Sequence, residues 1–137
     1  MKQITIKKGR HKTFKFPKLI LFPKAILFEA VITPSMVYNL QTNKGQINKI
    51  IGANHVVRIG FTGENNTIDI YEYLGSKSRK GFKANFIKTA GIGESIRLVY
   101  QPKGFYRFIS YINFPYFGGK EPAPQDITFN YNYSVWR

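Results

Sequence analysis

The 137-residue chain contains no cysteine, so it has neither a disulfide framework nor a thiolate metal site. No apolar run approaches the roughly 20 residues of a membrane-spanning helix, and the first residues alternate in polarity instead of forming a signal peptide. Acidic residues are also scarce: the sequence has seven Asp and Glu but 21 Lys and Arg, so its net charge is +14. We therefore expect a soluble protein without a membrane partner, whose partners carry negative charge.

The positive charge is concentrated in two parts of the chain. Every charged residue before Glu29 is basic, and a second basic group without any acid lies between Glu72 and Glu94. This asymmetry favours an acidic protein surface, an acidic glycan or nucleic acid as partner. The alternative is that the basic residues only make the protein more soluble. The candidate partner-binding residues are Lys7, Lys8, Arg10, Lys12, Lys15, Lys18, Lys77, Arg79, Lys80 and Lys83.

The hydrophobic pattern has a period of two, which is typical of half-buried β-strands. It is clearest in residues 127–136, and Gly- and Pro-containing turns separate the other candidate strands. We predict nine or ten strands in a single domain over residues 1–137. The fold class expected is all-β: an antiparallel β-sandwich, jelly-roll or concanavalin-like, with at most one short helix. A closed barrel is the alternative, and residues 1–12 are either a first strand or a basic arm, flexible or exchanged between copies.

Local patterns predict individual strands, a hairpin and one helical turn. Residues 25–33 are apolar on both faces except at Glu29 and predict a central strand, and residues 55–61 and 67–74 predict a hairpin. Residues 46–51 carry isoleucines at helical spacing and predict one helical turn that ends at Gly52. Residues 105–112 predict a strand.

A rigid corner precedes the last strand. Residues 115–126, PYFGGKEPAPQD, combine two adjacent glycines, which permit positive φ, with three prolines, which fix φ and donate no backbone hydrogen bond. This corner with its strand resembles the closing element of small concanavalin-like (laminin-G-like) β-sandwich domains encoded by Bacteroidetes and their tailed phages. Residues 55–60 leading into 68–74, and residues 15–20 with 24–33, fit the same resemblance.

The resemblance implies a setting for the protein. It would be a non-enzymatic structural or decoration protein of a phage head or tail, made in the host cytoplasm and located in the virion. Its partners would be other virion proteins and further copies of itself. The basic residues would dock on an acidic surface, and aromatic residues would supply apolar contacts.

The sequence carries little that favours catalysis. A glycosidase needs two carboxylates facing one cleft, but Asp69 and Glu72 are three residues apart and would point to opposite faces of a strand. His11 and His55 show no metal-ligand spacing with a carboxylate, and we expect no cofactor or metal. Asp126 is interpreted as capping the corner, the alternative being a weak calcium ligand.

Exposed aromatic residues are the second route to function. Tyr and Trp side chains stack on sugar rings or on nucleic-acid bases, and the alternative is that they pack in the core. The candidates are Tyr71, Tyr73, Tyr106, Tyr116 and Trp136. A carbohydrate-binding, lectin-like module is therefore the first alternative function, and a nucleic-acid or polyanion binder is the second.

Overall fold

The computed structural model describes residues 1–13, 15–38, 47–63, 68–75, 82–117 and 121–137. These residues form ten strands and two short 3₁₀ helices, Pro34–Met36 and Gly104–Arg107. The strands are β1 Lys2–Ile6, β2 Lys18–Leu21, β3 Ala25–Val31, β4 Asn48–Ala53, β5 Val57–Thr62, β6 Ile68–Gly75, β7 Phe82–Ala90, β8 Ser95–Tyr100, β9 Ile109–Asn113 and β10 Ile127–Trp136.

The strands form two antiparallel sheets that pack as a sandwich. One sheet has the order β1-β10-β3-β8 and the other the order β2-β9-β4-β5-β6-β7. Early strands pair with late ones in a nested series: β1 with β10, β2 with β9 and β3 with β8. A long hairpin rolled up on itself produces this nesting, which is the jelly-roll arrangement. The β6–β7 hairpin extends the second sheet by two strands. The predicted all-β sandwich is confirmed.

The last strand completes the smaller sheet. β10 lies between β1 and β3, so this sheet is continuous only when residues 127–136 are in place. Its side chains alternate as predicted, with Ile127, Phe129 and Tyr131 buried. In the core, the ring of Phe129 meets that of Phe61 from the opposite sheet, edge to face, with centroids 5.6 Å apart.

The central position of β3 is also confirmed, since it pairs with β10 on one side and β8 on the other. Its inner face is fully buried at Ile26 and Phe28. Its outer face is only half-buried at Leu27, Glu29 and Val31, so the expectation of cover on both faces holds only in part.

Two local predictions were wrong. Of the helical turn expected at residues 46–51, residue 46 lies outside the described residues, and residues 48–51 form the start of β4 instead. The register with β5 is irregular between Lys49 and Gly52, and both Ile50 and Ile51 are buried. Such a bulge places consecutive apolar side chains on one face, which mimics helical spacing in the sequence. The strand expected from residue 105 begins only at Ile109, because residues 104–107 form a 3₁₀ turn first.

The predicted hairpin of residues 55–61 and 67–74 is present as β5 and β6. The turn before it joins β4 to β5 at Asn54 and His55, which both have positive φ. The amide of Val56 donates to the carbonyl oxygen of Ala53 over 2.9 Å. This is a type I′ turn, which suits the twist of a hairpin and favours Asn at its first central position.

Candidate anion-binding cleft

The basic segment between β1 and β2 is fastened to the corner that precedes β10. The amide of Lys8 donates to Asp126 Oδ1 over 2.8 Å, and the ammonium group of Lys7 lies 3.6 Å from Asp126 Oδ2. Gly9, with φ of +83°, donates to the carbonyl oxygen of Ala123 over 2.9 Å. Asp126 therefore holds the end of β1, whereas we had expected it to cap its own turn.

A second set of backbone contacts surrounds Tyr116. Its amide and carbonyl exchange two hydrogen bonds of 2.9 Å with Lys49, and Lys12 pairs with it from the other side. The imidazole of His11 stacks near the Tyr116 ring, with centroids 6.1 Å apart, and the Lys49 ammonium lies 5.6 Å from that ring. Tyr116 is 38% exposed, so an aromatic surface flanked by cations is open to solvent.

Two adjoining cavities lie along this basic segment, with volumes of about 460 Å³ and about 300 Å³. Residues 15–17 line both cavities and so run between them. We call the two together the basic cleft. Its charged and aromatic lining residues are Lys2, Lys12, Lys15, Phe16, Lys18, His55, Arg58, Phe114, Tyr116, Tyr131 and Tyr133.

Lys15 is held between the two cavities by uncharged groups. Its ammonium group donates to the hydroxyl of Tyr131 over 2.9 Å and lies 4.6 Å from the centre of the Phe114 ring. The second contact is a cation–π interaction. The two contacts fix the position of the ammonium group without neutralising it, so its charge remains available to an anion.

Arg58 supplies a second cation from the floor of the cleft. It is only 9% exposed, and its Nη2 donates to the carbonyl oxygen of Phe114. Burial and the nearby Arg58 charge lower the pKa of Lys49 below its usual 10.5. The same two causes, in the same order, lower the pKa of His55 below 6.5. Both shifts indicate an environment that disfavours further positive charge.

The described lining of the cleft contains no Asp or Glu. The ion pairs found among the described residues lie elsewhere, at Lys7–Asp126, Lys88–Glu94 and Arg97–Glu29. Phe16, which is 88% exposed, stands at the rim and adds an apolar surface. The cleft combines several cations with accessible aromatic rings, and its described lining residues include no Asp or Glu. Such a site can bind an anion and a flat or apolar group together.

The structure brings some of the predicted residues together. Lys12, Lys15, Lys18 and Tyr116 meet at the cleft, whereas Lys7 and Lys8 lie beside Asp126 at the far end of the basic segment. Arg10 lies between these groups and is exposed.

Other predicted residues lie elsewhere in the fold. Lys83 is on β7, the edge strand of the second sheet opposite to β2. Tyr71 and Tyr73 are on β6, Tyr106 is in the second 3₁₀ helix, and Trp136, 52% exposed, ends β10. Lys77, Arg79 and Lys80 lie outside the described residues.

Sequence reasoning did not include Lys49, His55 or Arg58 among the binding residues. A signal was present for Arg58, because an arginine inside the apolar run of residues 56–59 must find polar partners when the strand is buried. His55 lies in the turn between β4 and β5, and its amide donates to Asn113 Oδ1 over 2.8 Å.

The described residues contain no cluster of three or more metal-ligating side chains of the His, Cys, Asp or Glu type. None of the described helices is long and apolar enough to cross a membrane. Comparison with family models, with curated proteins and with solved structures finds no match to the chain.

Proposed function

We propose that the protein is a non-enzymatic binding protein that docks its basic cleft on an anionic partner. The observation that carries this proposal is the convergence of Lys12, Lys15 and Arg58 on a cavity whose described lining has no acid. A negative group entering the cavity would meet these three cations, and none of the described lining residues is a repulsive carboxylate. A partner with the opposite potential would also be steered towards this face.

The shape of the cleft favours an extended partner over a single ion. The two cavities adjoin along residues 15–17, and further cations, Lys2 and Lys18, line the smaller one. The exposed rings of Phe16 and Tyr116 can cover apolar parts of the same partner. An acidic segment or loop of another protein has both features.

The setting we propose is a phage particle, with the protein as a structural or decoration component of the head or tail. This part of the proposal depends on the sequence resemblance of the corner and its strand. Purified particles of a phage that encodes the chain should contain the protein. They should lose it when the basic residues of the segment from Lys7 to Lys18 are replaced by Gln. Full retention in the particle would contradict the docking mechanism.

A direct binding test uses two variants of equal charge. The first is Lys12→Gln/Lys15→Gln/Lys18→Gln, and its control is Lys24→Gln/Lys83→Gln/Lys103→Gln, which changes exposed lysines that do not line the cleft. The probes are a polyglutamate peptide, a single-stranded oligothymidine and a heparin oligosaccharide. We expect the cleft variant to lose about tenfold or more in affinity for polyglutamate, and the control to lose less than about threefold. Equal losses would contradict the assignment of the cleft.

The other two probes separate the alternatives. A preference for oligothymidine over polyglutamate would make nucleic-acid binding the function of the cleft, since its aromatic residues could stack on bases. A preference for heparin would make an acidic glycan the partner. Either preference would overturn the choice of an acidic protein surface.

Carbohydrate binding at another surface is a second candidate function. Tyr71 and Phe86 pair across β6 and β7 with their rings 5.7 Å apart, and Phe86 is 58% exposed. On the same sheet face, the hydroxyl of Thr89 donates to Asp69 over 2.7 Å. Aromatic rings beside polar groups can stack on and orient a sugar. The test is a glycan array probed with the unaltered protein and with Phe86→Ala. If the unaltered protein gives no more signal than the variant, this candidate function is contradicted.

A further inference from the structure

Three exposed phenylalanines lie outside the basic cleft and meet at one end of the sandwich. Phe22, Phe105 and Phe108 are 63%, 69% and 52% exposed. We call them the phenylalanine patch. None of them lines either cavity of the cleft. Exposed apolar area that is continuous, rather than scattered singly, marks a surface that contacts something else.

Direct contacts hold the patch together. The amide of Phe22 donates to the carbonyl oxygen of Phe108 over 2.9 Å, and the rings of Phe105 and Phe108 are 6.4 Å apart. The patch continues onto the outer face of β2 and β9, where Leu19 pairs with Tyr111. Both of these residues are also exposed, at 50% and 46%. The apolar surface thus spans two turns and the adjoining sheet edge.

Exposed basic residues adjoin this surface. The exposed basic residues beside it are Lys24, Lys103, Arg107 and Arg137. Arg137 reaches it through a hydrogen bond of 3.0 Å from its Nε to the carbonyl oxygen of Leu21. The sequence has no Asp or Glu in residues 16–28, 95–120 or 127–137, which include every segment that forms the patch and its rim.

We propose that the phenylalanine patch and its basic rim bind the surface of an anionic phospholipid bilayer. Phenyl rings on turns can enter the boundary between headgroups and acyl chains, while lysine and arginine side chains extend to the headgroups. Each cation near a negatively charged leaflet adds to the binding. The combination of apolar turns with an acid-free basic rim matches this surface in both polarity and charge.

The rim argues against a second copy of the chain as the occupant. Two patches facing each other would bring Lys24, Lys103 and Arg107 of one copy close to the same cations of the other. Like charges facing each other across an interface are unfavourable. The proposal also departs from the sequence-based expectation of no membrane partner. That expectation depended on the lack of a long apolar run, whereas this patch is assembled from turns that are far apart in the chain.

The test is binding to vesicles of two compositions. We expect the protein to co-sediment with vesicles of phosphatidylcholine and phosphatidylglycerol, and far less with pure phosphatidylcholine. Trp136 is the only tryptophan and lies beside the patch, since its carbonyl oxygen accepts from the amide of Lys24 over 2.7 Å. Its fluorescence should shift to the blue when anionic vesicles are added. Absence of co-sedimentation with the anionic vesicles would overturn the proposal.

Variants then locate the binding surface. Phe105→Ala/Phe108→Ala should reduce partition to anionic vesicles about tenfold or more. The matched control is Phe86→Ala/Ile87→Ala, which removes two exposed apolar side chains from β7 and should change partition less than about twofold.

A further variant separates the patch from the cleft. If Lys12→Gln/Lys15→Gln/Lys18→Gln loses vesicle binding while Phe105→Ala/Phe108→Ala keeps it, the cleft binds the lipid and the proposal is overturned. Light scattering without vesicles provides the last test. If the protein is a stable dimer and Phe105→Ala/Phe108→Ala converts it to a monomer, the patch binds a second copy of the chain and the bilayer proposal is overturned.

Discussion

The ammonium group of Lys15 donates a hydrogen bond of 2.9 Å to the hydroxyl of Tyr131, whose ring is 1% exposed in the core. A residue of the basic segment is thereby tied to the last strand of the smaller sheet. The same ammonium group lies over the ring of Phe114. The proposed binding cation is therefore positioned by the core of the sandwich as well as by its own segment.

Removal of the Tyr131 hydroxyl should therefore affect both stability and binding. We expect Tyr131→Phe to lower the free energy of unfolding by about 1 kcal/mol, because one hydrogen bond is lost while the ring still fills its site. Urea denaturation measures this change. Affinity of the cleft for polyglutamate should also fall, since Lys15 loses its hydrogen bond to the hydroxyl and keeps only its contacts with the two rings. The control is Tyr71→Phe on β6, which lines neither cavity of the cleft, and an equal loss of affinity there would contradict this role of Tyr131.

Close backbone packing beside Arg58 gives a second prediction. A Cβ atom on Gly52 would lie 2.5 Å from Cγ and 2.7 Å from Cα of Arg58, and it would also collide with the carbonyl oxygen of Val57. We expect Gly52→Ala to destabilise the fold by about 1–3 kcal/mol and to displace the guanidinium group from the cleft.

The matched control for this prediction is Gly91→Ala. A Cβ at Gly91 meets no atom within 4 Å, so the change should alter stability by less than about 0.5 kcal/mol. Thermal or urea unfolding of both variants compares them directly. Similar stability of the two variants would contradict this prediction, because β4 and β5 would then have moved apart at Gly52 without loss of stability.

Most of the architecture could be predicted from the sequence, because burial on one face of a sheet imposes a period of two. The alternation of Phe129 and Tyr131 with polar residues correctly predicted the position of β10. Two apolar runs separated by a turn correctly predicted the pairing of β5 with β6. The bulge at Ile50 and Ile51 could not be predicted, since two adjacent buried isoleucines fit a helix equally well.

The candidate site was predictable only in part, for a different physical reason. Lys12, Lys15 and Lys18 are close in sequence and were recognised as one basic segment. Arg58 and His55 reach the same cleft from another sheet strand and its turn. Their position at the cleft depends on the register of β4 with β5 and β9. This register cannot be predicted from the local sequence pattern.

The contact between Asp126 and the end of β1 gives a third prediction. The backbone hydrogen bond from Lys8 is the largest cause that lowers the pKa of Asp126 below its usual 3.8. Desolvation opposes this shift, and the nearby charge of Lys7 adds to it. The stabilising contribution of Asp126 is thus present above about pH 3.8 and is lost as the pH falls through the folded-state pKa. We expect Asp126→Ala to speed hydrogen exchange at the Lys8 amide at neutral pH. Asp69→Ala is the control, and unchanged exchange at Lys8 in Asp126→Ala would contradict the contact.

The last prediction concerns His55, whose pKa burial and Arg58 hold below 6.5. A lowered folded-state pKa means that the unfolded chain binds more protons just below pH 6.5. Stability should therefore fall as the pH is lowered from about 6.5 towards the folded-state pKa, and level off beneath it. His55→Gln should flatten that decline. The titration of the carboxylates Glu94 and Asp126 lies at lower pH, because their pKa values are held below 4.5 and 3.8.

The same histidine reports on the cleft, because it lines the larger cavity together with Lys12 and Arg58. An anion bound there would favour the imidazolium form and so raise the pKa of His55. By linkage, binding of the anion should then tighten as the pH falls through this range. NMR titration of the His55 ring, with and without polyglutamate, measures the shift. An unchanged or lower pKa with bound polyglutamate would place the anion away from the cleft, and a rise that Lys12→Gln/Lys15→Gln/Lys18→Gln abolishes would place it within reach of His55.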